Sequence, residues 1–174
     1  MNYYVIIPFV VLIFSVATTT FVYSQNKGPV NRAYILLSLT FMGWVFFDVV
    51  HWSPIDDEYI MPALKAQSMF YFFVGFVFTN FAYVFLNRKR DAIYYFVLLA
   101  AVTAVLVSIS TDLVIQDYIK EYWGPAIIGG PLFNYLTFGI LAGPFFYSLM
   151  LLYMRMRRSS DVAEKKQLAL FLSG

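Results

Sequence analysis

The sequence predicts an all-α fold, a polytopic membrane helix bundle with five full spans, the start of a sixth, and its N-terminus outside. Three observations predict it. The 174 residues are 61% hydrophobic, 21% aromatic and only 13% charged, whereas a soluble domain is about half apolar and about a quarter charged. Five apolar stretches reach the roughly 20 residues that a helix needs to cross the hydrocarbon core. The basic residues fall on alternate loops.

The first run, 3–24, has no basic leader and no small-residue cleavage pattern, so it reads as a retained span rather than a signal peptide. The second covers 33–52 and the third 67–86. The third is aromatic almost throughout (MFYFFVGFVFTNFAYVF from Met69), which fits a span that is apolar all round and packs in lipid and protein better than a pigment box. The fourth covers 92–111 and the fifth 132–154. A sixth begins at Gln167 and is cut off at Gly174, which reads as a fragment of a longer chain. The whole, 1–174, reads as one transmembrane module.

Ten of the twelve Lys and Arg lie on one side: Lys27 and Arg32, then Arg88, Lys89 and Arg90, then Arg155, Arg157, Arg158, Lys165 and Lys166. The opposite loops hold Lys65 and Lys120 beside Asp56, Asp57, Glu58, Asp117 and Glu121. The positive-inside rule places the basic loops in the cytoplasm and the N-terminus outside. The outer segment 53–66 reads as a loop with two prolines and three acids. The outer segment DLVIQDYIKEYWGPAIIGGP, from Asp112, carries turn-forming Gly and Pro. Its β-branched and aromatic residues suit either a short hairpin or interfacial anchors, and Trp52, Tyr59, Tyr118, Tyr122 and Trp123 suit headgroup level.

Much chemistry is excluded. With no cysteine there is no disulfide, thiolate metal site or thiol nucleophile. One histidine cannot make a bis-histidine haem, and no lysine falls inside the spans read above to carry a retinal Schiff base. There is no HExxH and no glycine-rich nucleotide motif. The expectation is no enzyme within this chain, no metal, no cofactor and no nucleic-acid partner.

Asp48 lies four residues before the outer end of the second span, about 6 Å below it at 1.5 Å per residue. A carboxylate there needs a partner, a water pocket or a proton. His51, one helical step on, is placed to share a hydrogen bond with it. The pair reads either as a ligand- or proton-sensing patch or as a packing contact. Thr79 and Asn80 in the third span and Asn134 and Thr137 in the fifth suit hydrogen bonds between helices. Gly139 and Gly143 form a GxxxG spacing followed by Pro144, which reads either as a hinge or as tight packing with a static kink.

The order of features resembles the N-terminal seven-transmembrane sensor module of bacterial histidine kinases, also fused to diguanylate cyclases. The resemblance rests on NRAYILLSLTFMGWVF in the second span, on TDLVIQDYIKEYWGPAIIGGPLFNYLTF around the second outer loop, and on RMRRSSDVAEKKQLALFLSG leading into the sixth span. It covers nearly the whole chain but includes no invariant catalytic residue. It implies two further spans and a cytoplasmic output domain beyond residue 174, a homodimer formed through that domain, and the bacterial cytoplasmic (inner) membrane. It carries no binding residues. From position alone, Asp48, His51, Trp52, Asp112, Trp123 and Asn134 are the candidate ligand-binding residues, and Gly139, Gly143 and Pro144 the hinge or packing set. The expected partners are membrane lipids and a small-molecule or physical signal of unknown identity. A transporter subunit with a polar path through Asp48 and Asn134, or a scaffold without a ligand, are the alternatives.

Overall fold

The computed structural model describes residues 3–25, 28–53, 56–122, 124–159, 165–166 and 168–169. Among the described residues five helices are long and apolar enough to cross a membrane: α1 (Ile6–Gln25), α2 (Pro29–Trp52), α3 (Asp57–Phe85), α4 (Ala92–Ser110) and α5 (Phe133–Arg158). Between α4 and α5 lies an antiparallel hairpin, β1 (Ile115–Glu121) and β2 (Gly124–Gly129). The chain is therefore a helical membrane bundle carrying one two-stranded hairpin at one end. The rings of Tyr4 and Tyr122 meet edge to face at 5.9 Å, which puts the start of the chain at the hairpin end.

α3 is the centre of the bundle. Its apolar window is 61% buried, against 11–33% for the other four helices, whose side chains are mostly half-buried or exposed. The aromatic run of α3 thus packs chiefly in protein. Phe72, Phe76, Phe78 and Phe81 are buried, while Phe14 on α1, Phe96 on α4 and Phe146 on α5 are exposed, as a lipid-facing surface requires.

α3 is also longer than the sequence suggested. Residues 57–66, read as loop, form its first turns, so the link from α2 shrinks to a few residues. Asp56 is the N-cap residue, and Asp57 and Glu58 sit in the first turn, where carboxylates favour the positive end of the helix dipole. Pro62 removes only one backbone hydrogen bond near the solvated end. At 1.5 Å per residue the helix is ~43 Å long, against about 30 Å of hydrocarbon. The charged first turns, with Asp57, Glu58 and Lys65, suit the part of that excess length that lies outside the hydrocarbon. α2 likewise starts early, at Pro29, since proline is favoured in a first turn.

The N-terminal turns of α3 carry the hairpin. Of the two readings left open for the segment after Asp112, the hairpin holds: Tyr118 pairs with Ile127 and Ile119 with Ala126, with an irregularity between Ile115 and Asp117. Val114 and Ile115 are fully buried with Ile60, Leu64 and Phe72 of α3 and Ala104 and Val105 of α4. Ion pairs from α3 to the hairpin region, Lys65–Asp112 at 2.8 Å and Asp57–Lys120, add to this docking. The Asp57 carboxylate holds the Lys120 ammonium above its ordinary pKa by accepting its hydrogen bond. Gly124 closes the turn with φ +148°, and a methyl there would lie 2.7 Å from Cδ1 of Trp52. Only glycine suits both the dihedral and the indole beside it.

At the opposite, basic end, Asp91 joins three helices. Its carboxylate accepts from Tyr83 Oη at 2.7 Å, from the Tyr94 backbone N–H at 3.1 Å as the N-cap of α4, and from Arg88 at 2.7 Å. Tyr83 also meets Tyr147 of α5 at 3.1 Å. The Tyr83 hydrogen bond foremost, with the Tyr94 N–H and Arg88, holds the Asp91 carboxyl below its usual range. Asn87 (φ 49°) takes the left-handed position just past α3, where asparagine is tolerated.

α3 and α5 cross very closely at Gly75, whose Cα faces the carbonyl oxygens of Ile140 and Leu141. Those carbonyls belong to a π-helical stretch, Thr137–Ala142, separated from Pro144 by Gly143. Pro144 has no N–H for the Ile140 carbonyl and its ring crowds it, so the preceding turn widens. The GxxxG expectation is corrected here. Gly139 faces open space, with nothing within 4 Å of an added methyl, and Gly143 meets only the carbonyl of Phe138 in its own helix, at 3.4 Å. The wider π turn rotates the face of the helix, and the glycine that admits the neighbour is Gly75. Below it, Thr79 and Ser148 hydroxyls lie 3.0 Å apart, and Ser148 donates to the Pro144 carbonyl at 2.8 Å. Asn80 accepts from Tyr94 Oη at 2.9 Å. Of the sixth apolar stretch only Leu168 and Ala169 are described; Leu168 is buried against Ala82 and Leu152.

Candidate functional site

A cavity of about 300 Å³ lies at the hairpin end between α2 and α3. Trp44, Asp48, His51 and Trp52 form its α2 wall. Gln67, Ser68, Tyr71 and Phe72 form most of its α3 wall. Val114 and Ile115 lead into the hairpin, β2 covers the cavity with Pro125, Ala126 and Ile127, and Phe133, the first residue of α5, closes one side. Helix spacing explains the α2 wall: positions 44, 48, 51 and 52 recur at three and four residues and share one face.

The polar groups are few. Gln67 Nε2 donates to Asp48 Oδ1 at 2.6 Å and approaches the Trp44 carbonyl at 3.4 Å. His51 Nε2 stands 3.7 Å from the same Oδ1, beyond hydrogen-bond reach. The expected Asp48–His51 hydrogen bond is therefore replaced by one from α3. A residue on the neighbouring helix can aim its amide along the carboxylate lone pair, whereas a ring three residues along the same helix stands beside it. His51 is buried, and its Nδ1 makes no well-formed hydrogen bond among the described residues. Ser68 hydrogen-bonds Ser108 of α4 at 2.6 Å, so that hydroxyl is spent on packing. The remaining walls are aromatic, with Trp44 and Tyr71 edge to face at 5.3 Å.

Of the six candidate residues, the structure brings Asp48, His51 and Trp52 together. Asp112 does not line the cavity; it is largely exposed and paired with Lys65. Asn134 is exposed and does not line it either, because the neighbouring Phe133 takes the inward position. The polar path from Asp48 to Asn134 is thus not assembled. Trp123 lies outside the described residues. Sequence reasoning missed Gln67 as the partner of Asp48, although Gln67 and Ser68 are the polar pair that open the aromatic run of α3. It also missed Phe133, which carries no signal beyond being aromatic. Among the described residues no group of three or more His, Cys, Asp or Glu is placed to hold a metal ion.

Comparison with known proteins returns no match to a family model, to a curated protein or to a solved structure. The site is therefore read from its own geometry.

Proposed function

We propose that the chain is the sensing part of a membrane-embedded receptor. A small molecule enters the cavity from the extracytoplasmic side, and the bundle relays its binding to a cytoplasmic signalling domain of the histidine-kinase or cyclase kind. One observation carries the reading: Phe133, which begins α5, is part of the cavity wall, while Tyr147, midway along the same helix, reaches the Tyr83–Asp91 cluster at the basic end. One helix thus touches both the cavity and the basic-end cluster, with its π turn and Pro144 lying between the two contacts. A ligand shifts such an equilibrium by its differential affinity for two arrangements of α5. Ligand pockets between helices are mostly apolar with a few placed polar groups, as this one is. The alternation of basic and acidic loops supports the orientation, with the basic end inside a bacterial cytoplasmic membrane. The resemblance to seven-span sensor modules supports the relay to an output domain and pairing of protomers through it.

The test is a distance across the basic end. Lys89→Cys and Arg158→Cys are spin-labelled in the otherwise cysteine-free chain, and the inter-label distance is measured with the cavity empty and with it filled by Ala126→Trp. A relay predicts a shift of about 1–2 Å or more in the mean distance, the size of an ordinary helix displacement. A distance distribution that ignores the filled cavity, in a variant that keeps its unfolding midpoint, overturns the reading.

A further inference from the structure

The charges around the cavity point to the class of ligand. We propose that the cavity binds a small organic ammonium ion, a primary or secondary amine on an aromatic or aliphatic body. The inference rests on the reading of the cavity as a ligand site.

Among the described residues that line the cavity, Asp48 is the one Asp, Glu, Lys or Arg. Among the described residues its one hydrogen bond goes to Oδ1, from the uncharged Gln67, while His51 Nε2 stands 3.7 Å from the same oxygen, beyond hydrogen-bond reach, so no Lys or Arg neutralises the carboxylate. Oδ2 has no protein donor among the described residues, and the side chain is 25% exposed. The two lysines at this end are already committed, Lys65 to Asp112 and Lys120 to Asp57, and neither lines the cavity. An uncompensated carboxylate in a sparsely hydrated site attracts a cation and repels an anion, and a charge-assisted N–H donor is the strongest partner it can take.

The other walls favour the same class. Trp44, Trp52, Tyr71, Phe72 and Phe133 present aromatic surface around the carboxylate. The negative faces of such rings stabilise ammonium groups, and their apolar area takes up the hydrocarbon part. A bare metal ion would find one carboxylate and no second acidic ligand in this cavity. A carboxylic acid or phosphate would find no Lys or Arg there, and the imidazole of His51 already stands 3.7 Å from the Asp48 carboxylate.

The test uses three probes of similar size on the full chain in lipid nanodiscs: phenethylammonium, 2-phenylethanol and 3-phenylpropionate. Binding is read from tryptophan fluorescence, since Trp44 and Trp52 both line the cavity. The proposal predicts saturable binding of phenethylammonium, at least about tenfold weaker binding of the alcohol and the acid, and a loss of about tenfold or more in Asp48→Asn. Asp48→Glu keeps most of the affinity, and Glu58→Gln, exposed and away from both the cavity and the ion pairs that dock the hairpin, keeps all of it. If the alcohol binds as tightly as the amine, or Asp48→Asn binds the amine unchanged, the ammonium assignment is wrong while the cavity still stands as a ligand site. If no probe saturates, the ammonium assignment falls, and the spin-label distance judges the cavity separately. The comparison of probes on the unaltered protein needs no variant, so a poorly folding Asp48→Asn does not remove the test.

Discussion

Gly75→Val is expected to be among the most damaging single substitutions in the chain. The added methyls would press on the carbonyl oxygens of Ile140 and Leu141, the latter 3.0 Å from the first carbon added. Those atoms are backbone, so no side-chain rotation relieves the clash, and α5 must withdraw from α3. Overpacking of a core costs about 1–3 kcal/mol where side chains can yield; with backbone in the way, about 3 kcal/mol or more is expected. Withdrawal would also separate the Thr79 and Ser148 hydroxyls just below. The natural control is Gly139→Val. It meets open space and is expected to stay within about 0.5 kcal/mol of the parent, as substitutions away from packed features do. Unfolding of both variants in the same detergent checks the pair. Equal damage from the two would show that the close crossing lies elsewhere.

Phe72→Ala is expected to cost about 3 kcal/mol, the lower end for emptying a buried phenylalanine site. Phe72 has no exposed surface and sits where α3, α4 and the foot of the hairpin meet. Its ring also lines the cavity, so truncation merges the new void with the existing one. The unfolding midpoint should fall by roughly 6–12 °C, taking 2–4 °C per kcal/mol for a chain of this size. The hairpin, held to α3 through Val114 and Ile115, should loosen first, seen as faster amide exchange in β1 and β2 than in α4. A variant with parental stability and unaltered hairpin exchange would mean that the hairpin does not depend on this core.

The spans were legible in the sequence because hydropathy and loop charge are local properties, and ~20 apolar residues in a row have few other outcomes. The site was only half legible. Asp48 announced itself as a carboxylate in an apolar helix, and His51 and Trp52 followed from helical spacing. Gln67 did not, because its importance depends on α3 continuing past the end of α2, whereas the acids and Pro62 at 56–62 have the composition of a loop. Asp112 and Asn134 failed for the complementary reason. Each is polar and near the right level, but nearness in depth does not fix the direction in which a side chain points. The glycines show the same limit. Gly139 and Gly143 have the spacing of a packing motif, yet the π turn forced by Pro144 turns that face away. Gly75 has no motif and makes the contact, and only the identity of the neighbouring helix reveals it.

The proposed receptor requires the cavity beneath the hairpin to open to the outer side of the membrane. The most direct measurement of that opening uses Ala126→Cys, the sole cysteine of the resulting chain, placed on the β2 wall of the cavity. A membrane-impermeant maleimide is added to intact cells, and the labelled fraction is read before and after permeabilisation. The account predicts labelling of intact cells, slowed when a bound cavity ligand such as phenethylammonium is present. Labelling that requires permeabilisation, or that proceeds at the same rate with saturating ligand, would contradict it.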